Sequence, residues 1–187
     1  MSERRIVLVR HGRSAHVHEG WIDFEGFLQW RRAYEAAGID PRDTPPRALR
    51  ELALQAGVIV TSNVRRAVES AQALGSHKRV VPSSLLHELE LTPPRLGRLR
   101  LPMIGWALAY GVRMLVRANK HVTLVEIERA MHAAQWLTQF DEELIIVVTH
   151  ASFRSLLTKA LEANGWRRDG PRPRARHWSA WALTYTR

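Results

Sequence analysis

Three apolar runs limit what this chain can become. Ile6-Val7-Leu8-Val9, Val58-Ile59-Val60 and Leu144-Ile145-Ile146-Val147-Val148 are short, rich in β-branched residues and free of polar alternation. A strand that is apolar at every position has both faces buried. That is the situation of a strand inside a mainly parallel sheet with helices on either side. Each run stops at a polar cluster: Arg10-His11-Gly12, Thr61-Ser62-Asn63 and Thr149-His150.

Between these runs the spacing becomes helical. Phe27, Trp30, Tyr34 and Ala37 recur three and four apart and predict a helix over 24–37, which Gly38 ends. Thr44-Pro45-Pro46 opens a second helix over 47–56, with Leu49, Leu52 and Ala53 on one face. Thr61-Ser62-Asn63 reads as the cap of a third over 64–74. Residues 79–81 predict a short strand, and 85–91 fit either a strand end or a loop. Helices are expected over 102–117, over 123–140 with capping-box spacing between Thr123 and Glu126, and over 152–163. Weak alternation over 178–185 predicts a last strand, and the Pro- and Arg-rich stretch 167–176 a surface loop. Alternating strands and helices specify an α/β fold: a three-layer α/β/α sandwich with a mixed, mainly parallel central sheet. At roughly 150 residues per domain, residues 1–187 form a single domain.

Composition narrows the chemistry. The chain has no cysteine, which removes disulfides, thiolate metal sites and cysteine nucleophiles. Lys plus Arg number 28 against 18 acidic residues, a net charge of +10. Such an excess points to an anionic partner: nucleic acid, an anionic membrane surface or a phosphorylated substrate. It is not evenly spread. Residues 91–125 carry +6 with no acid and 165–187 carry +5, leaving the remainder at −1. The N-terminal apolar run is too short for a signal peptide. The longest uncharged apolar-rich stretch, 101–112, falls short of the ~20 residues that span a bilayer and is broken by Pro102, Gly105 and Gly111. A cytoplasmic location is the default expectation, with no transmembrane segment.

In open α/β sheets, ligands collect beyond the carboxyl ends of the strands. The residues there are Arg10, His11, Gly12 and Arg13; Ser62, Arg65 and Arg66; His87, Glu88 and Glu90; and Thr149 with His150. His11, His16 and His18 do not read as a metal site, because their loop spacing has no carboxylate cluster beside it.

The triplet Arg10-His11-Gly12 at the end of a first strand resembles the signature of the histidine phosphatase (phosphoglycerate mutase-like) superfamily. Three further elements follow in the same order. Ser62-Asn63-Val64-Arg65-Arg66-Ala67 with Glu69-Ser70-Ala71 is similar to the family's helix start. Leu86-His87-Glu88-Leu89 resembles its acid-bearing element, and Val147-Val148-Thr149-His150 the strand that ends in a second histidine. The resemblance implies a metal-independent phosphatase without a cofactor, hydrolysing a phosphomonoester or a phosphoramidate. His11 would be the nucleophile and become phosphorylated, and Arg10, Arg66 and His150 would hold the phosphoryl oxygens. Glu88 would be the proton donor, with Glu90 two residues on as the alternative. Such chemistry needs positioned positive charge and a neutral, oriented imidazole. The implied substrate is a phosphorylated small molecule or a phosphoprotein, with no nucleic acid expected.

Departures from the family pattern fall on the substrate side. Arg13 stands where many members carry Glu or Gln, Val17 where mutases carry Asn, and Leu91-Thr92-Pro93-Pro94 where relatives continue with Gly and a W-x-G element. Together with the short chain, these favour a phosphatase over a phosphoglycerate-type mutase. A non-catalytic anion- or nucleic-acid-binding module on the same fold is the third reading. Residues 91–122 are expected to form a lid or substrate wall, and 101–117 to offer peripheral contact with an anionic membrane surface. A buried helix or a dimer contact is the competing reading of that segment.

Overall fold

The apolar runs become neighbours in one sheet. The computed structural model describes residues 3–17, 20–75, 79–89, 94–116, 123–171 and 176–186. The strands are β1 (Glu3–Arg10), β2 (Trp21–Ile22), β3 (Val58–Ser62), β4 (Val80–Ser83), β5 (Leu101–Pro102), β6 (Leu144–Thr149), β7 (Arg167–Arg168) and β8 (Ala180–Thr186). Six of them form a sheet in the order β4-β3-β6-β1-β8-β7, while β2 and β5 pair separately. The first four run parallel, and β8 and β7 add antiparallel. The loop expected over 167–176 is therefore corrected at its start, where Arg167 and Arg168 pair with Thr184 and Leu183.

Side chains sort by the two-residue period of a strand. Ile6, Leu8, Val58, Val60, Ile145, Val147, Trp181 and Leu183 enter the core on one face. Val7, Val9, Ile59, Ile146, Val148 and Ala182 enter the core on the other. Helices α2 (Arg47–Gln55) and α3 (Arg65–Leu74) cover the second face, and α5 (Leu124–Thr138) and α6 (Ala151–Ala163) the first. This is the three-layer α/β/α sandwich with a mixed, mainly parallel sheet.

Two helices stand apart from both cores. α1 (Phe24–Ala36) has no buried residue. α4 (Met103–Val116) buries Trp106 but exposes Ile104, Leu108 and Val112 on one face. The β2–β5 ribbon joins this region to α1, with Trp106 donating from Nε1 to the Ile22 carbonyl at 3.0 Å and Arg100 to the Trp21 carbonyl at 2.9 Å. Of the expected lid, residues 91–93 and 117–122 lie outside the described residues, as does the Tyr110 side chain. Among the described residues no helix is long and apolar enough to cross a membrane.

Helix α5 meets its neighbours through Ala130, Ala133 and Ala134, all buried, so there is no room for larger groups. The Ala133→Leu variant should lose roughly 1–3 kcal/mol of stability from overpacking, read as a lower urea midpoint at unchanged slope.

Candidate active site

His11 and His150 are brought together by register. Arg10 on β1 pairs with Thr149 on β6, and the His11 amide donates to the Thr149 carbonyl at 3.0 Å. The two residues that follow leave adjacent parallel strands side by side, with ring centroids 5.0 Å apart. Both rings are buried, at 2% and 1% exposure.

Their tautomers follow from their partners. His11 Nδ1 lies 2.7 Å from the Gly12 carbonyl, which can only accept, so Nδ1 carries the proton. That leaves the Nε2 lone pair facing the Nε–H of Arg66 at 3.3 Å. Arg66 Nη2 lies 3.3 Å from His150 Nδ1, and a guanidinium only donates, so His150 carries its proton on Nε2 and gives it to Ser62 Oγ at 3.0 Å. Burial, and then the charge of Arg66, lowers the His11 pKa from 6.5 to about 3. Burial, followed by the neighbouring His11 and Arg66, holds His150 well below its ordinary value. Both imidazoles are neutral near pH 7.

Arg66 is fixed on three sides. Besides the two histidines, its Nη1 donates to the Tyr34 carbonyl at 3.0 Å and its guanidinium lies 4.4 Å from the Tyr34 ring centroid. It is 4% exposed and is placed by the first turn of α3. Ser70, one turn on, accepts from the Gly12 amide at 2.9 Å and donates to the Arg66 carbonyl at 2.6 Å, which ties the loop after β1 to α3. Arg10 lies near enough to His11 to add to the lowering of its pKa. Gly12 is needed for space, since a methyl there would lie 2.5 Å from Trp178 Cζ2.

Glu88 lines the cleft together with Arg66. Its Oε1 accepts from the amides of Phe153 at 2.8 Å and Leu89 at 3.0 Å, and its Oε2 from Ser152 at 3.3 Å. It thus caps the free amides at the start of α6, the helix that begins directly after His150. The backbone carrying Glu88 is clamped by Arg129, which donates to the carbonyls of Leu85 at 3.0 Å and His87 at 2.9 Å, and by Thr149 Oγ1, which donates to Leu86 at 2.7 Å. Glu90 lies outside the described residues.

Arg66, His87, Glu88 and Leu89 line a cleft of about 520 Å³ whose far wall is Phe27, Trp30 and Tyr34 of α1. The helical spacing of those aromatics predicts a helix and not what its stripe faces, and here all three border the cleft. From the segment expected as a lid or wall, Trp106 is 1% exposed and stacks on Phe27 at 4.9 Å. Arg65 points away and pairs with Glu69 at 2.7 Å. Arg13 is exposed, its amide donating to the Asp43 carboxylate.

Sequence reading missed His177. Its ring lies 5.8 Å from that of His11, and burial and Arg10 lower its pKa. The turn that carries it contains Trp178 at φ +58°, pinned by Nε1 donating to Asp43 at 2.9 Å. Arg154 anchors the same turn, its guanidinium donating to the carbonyl and hydroxyl of Ser179. No spacing signal marks this turn, because its neighbours are distant in sequence. Among the described residues no three His, Asp or Glu side chains converge to hold a metal ion.

The cap expected at Thr61-Ser62-Asn63 is also corrected. Helix α3 is preceded by Val64 and has no side-chain cap, because Ser62 Oγ faces His150 and Asn63 Oδ1 is hydrogen-bonded by His87.

No protein-family model matches the chain, and no curated protein matches it in sequence. Solved structures match in fold. Mycobacterial hydrolase 2 is 20% identical, with 86% of this chain aligned to 72% of that one at a TM-score of 0.54. A phosphoserine phosphatase from Entamoeba histolytica, solved with 3-phosphoglyceric acid, is 12% identical over 96% of this chain and 89% of its own, at 0.53. Bacillus stearothermophilus YhfR is 18% identical over 86% and 80%, at 0.52. The likeness is one of fold.

Neutral burial of His11 makes stability depend on pH. The unfolded chain takes up a proton at His11 below about 6.5, whereas the folded chain refuses it until about 3. The contribution is complete above pH 6.5 and is lost as pH falls towards 3. Between those limits the wild type should lose about 1.4 kcal/mol per pH unit more than His11→Ala, measured by urea unfolding from pH 7 to 4.

Proposed function

We propose that this chain is a metal-independent phosphatase that hydrolyses a phosphomonoester or phosphoramidate through a phosphohistidine on His11. The observation that carries the proposal is the His11 ring itself: neutral, buried, and held with its Nε2 lone pair towards Arg66.

The phosphoryl group enters between His11, Arg66 and His150 and trades the histidine–arginine hydrogen bonds for bonds to its own oxygens. Arg10 and Arg66 offer guanidinium forks matched to phosphate oxygens. His150 exchanges its Nε2–H bond to Ser62 Oγ for one to another oxygen as charge shifts there in the transition state. His11 Nε2 attacks phosphorus in line with the ester oxygen, and the bond to the alcohol breaks. Glu88 gives that oxygen its proton, then takes one from the water that cleaves the phosphorus–nitrogen bond. The substrate is a phosphorylated small molecule or phosphoprotein, met in the cytoplasm.

The proposal extends to the outer face of α4. Ile104, Leu108 and Val112 are exposed four residues apart on a helix without acids, within the segment of charge +6. Apolar residues flanked by arginines suit peripheral contact with an anionic bilayer. Phosphatidylserine vesicles should sediment the protein at low salt, release it at high salt, and fail to sediment Leu108→Glu.

The enzyme reading is tested with p-nitrophenyl phosphate. Wild-type protein should release inorganic phosphate, and His11→Ala should abolish release. Glu88→Gln should slow turnover roughly 10²–10⁴-fold and accumulate an acid-labile phosphate on the peptide containing His11, seen by mass spectrometry after rapid quench. Undiminished release from His11→Ala would refute the mechanism.

A further inference from the structure

We infer that the aromatic half of the cleft is a subsite for a planar ring in the leaving group, so that the substrate is the phosphate ester of an alcohol bearing an aromatic or heteroaromatic ring. The inference rests on the phosphatase reading for the place of the phosphate. The ring subsite follows from α1.

Helix α1 has an unusual balance. It carries Phe24, Phe27, Trp30 and Tyr34, yet none of its residues is buried. These aromatics are half-buried and pack on one another and on Trp106, apart from both sheet cores. Here three of them, Phe27, Trp30 and Tyr34, share one face of the helix and line the cleft. Their rings lie in sequence and nearly parallel. Phe27 and Trp30 are 5.6 Å apart at 35°, and Trp30 and Tyr34 5.1 Å apart at 25°.

The row is backed and therefore preorganised. Trp106 stacks behind Phe27 at 4.9 Å, and its Nε1 is tied to the Ile22 carbonyl. At the other end Tyr34 belongs to both halves of the cleft. Its ring lies under the Arg66 guanidinium at 4.4 Å, and its carbonyl accepts from Arg66 at 3.0 Å. The guanidinium that would hold the phosphate is thus also in contact with the aromatic row. Val64 and Leu89 add apolar surface, Arg31 and Glu35 of the same helix add a polar rim, and a cleft of about 520 Å³ has the size of a small-molecule site. With their faces turned on one another, on Trp106 and on Arg66, the rings offer the cleft their edges, which favour the face of a planar ring over an aliphatic chain.

Calorimetric titration with 1-naphthylmethylphosphonate and octylphosphonate tests this without turnover. The naphthyl ligand should bind about tenfold more tightly, the scale of an edge-to-face aromatic contact. Trp30→Ala should bring the two affinities to near equality. Trp30→Leu keeps apolar bulk without an aromatic edge, should do the same, and serves if the alanine variant does not fold. Equal affinities in the wild type, tighter octylphosphonate, or no binding of the naphthyl ligand would each overturn the subsite. Phosphate release from naphthylmethyl phosphate is assayed separately. Preference in binding without hydrolysis upholds the subsite and removes the phosphatase reading, whereas hydrolysis without preference does the reverse.

Discussion

β1 and β6 run parallel with Arg10 opposite Thr149, and this pairing is what the site depends on. Parallel strands end at the same edge, so the residue after each one arrives there beside its neighbour. A slip of one residue would turn every side chain of β1 to the other face of the sheet. Ile6 and Leu8 would leave one core, Val7 and Val9 the other, and His11 would no longer stand 5.0 Å from His150. Fully apolar strands on both sides make that slip costly. The precision of the site is inherited from hydrophobic packing several residues away.

The electrostatics of the pocket follow from the same burial. Two imidazoles beside a buried guanidinium are cheapest when neutral, and Arg66 is satisfied by their lone pairs and by a backbone carbonyl in place of a carboxylate. An arginine held this way keeps its charge for an incoming anion. A direct ion pair would have neutralised it and blocked the site. The carboxylate that is present, Glu88, is occupied with the amides of α6 and not with Arg66.

Most of the fold was legible because it is written in local pattern. The apolar runs gave the strands, the polar residues after the strands gave a wider set of candidates, and the resemblance chose His11, Arg66, Glu88 and His150 among them. What escaped depends on distant partners. Trp178, His177 and Arg129 matter through contacts with Gly12, His11 and the backbone of Glu88, which no window of sequence contains. The stripe Phe27, Trp30, Tyr34 was visible, but helical periodicity does not tell a core from a cleft. The cap at Ser62 and Asn63 was misread for a related reason. Those side chains have the right chemistry for a cap, and the site uses them instead.

The two outer strands bear on how the molecule behaves in company. A sheet that is open at both ends exposes unpaired amides and carbonyls, which invite pairing with another copy. Here β4 includes Pro82, which has no amide to offer, and β7 is only Arg167 and Arg168. One border is interrupted, and the other is short and doubly charged within a segment carrying +5. Both are features that disfavour pairing with the edge of another copy.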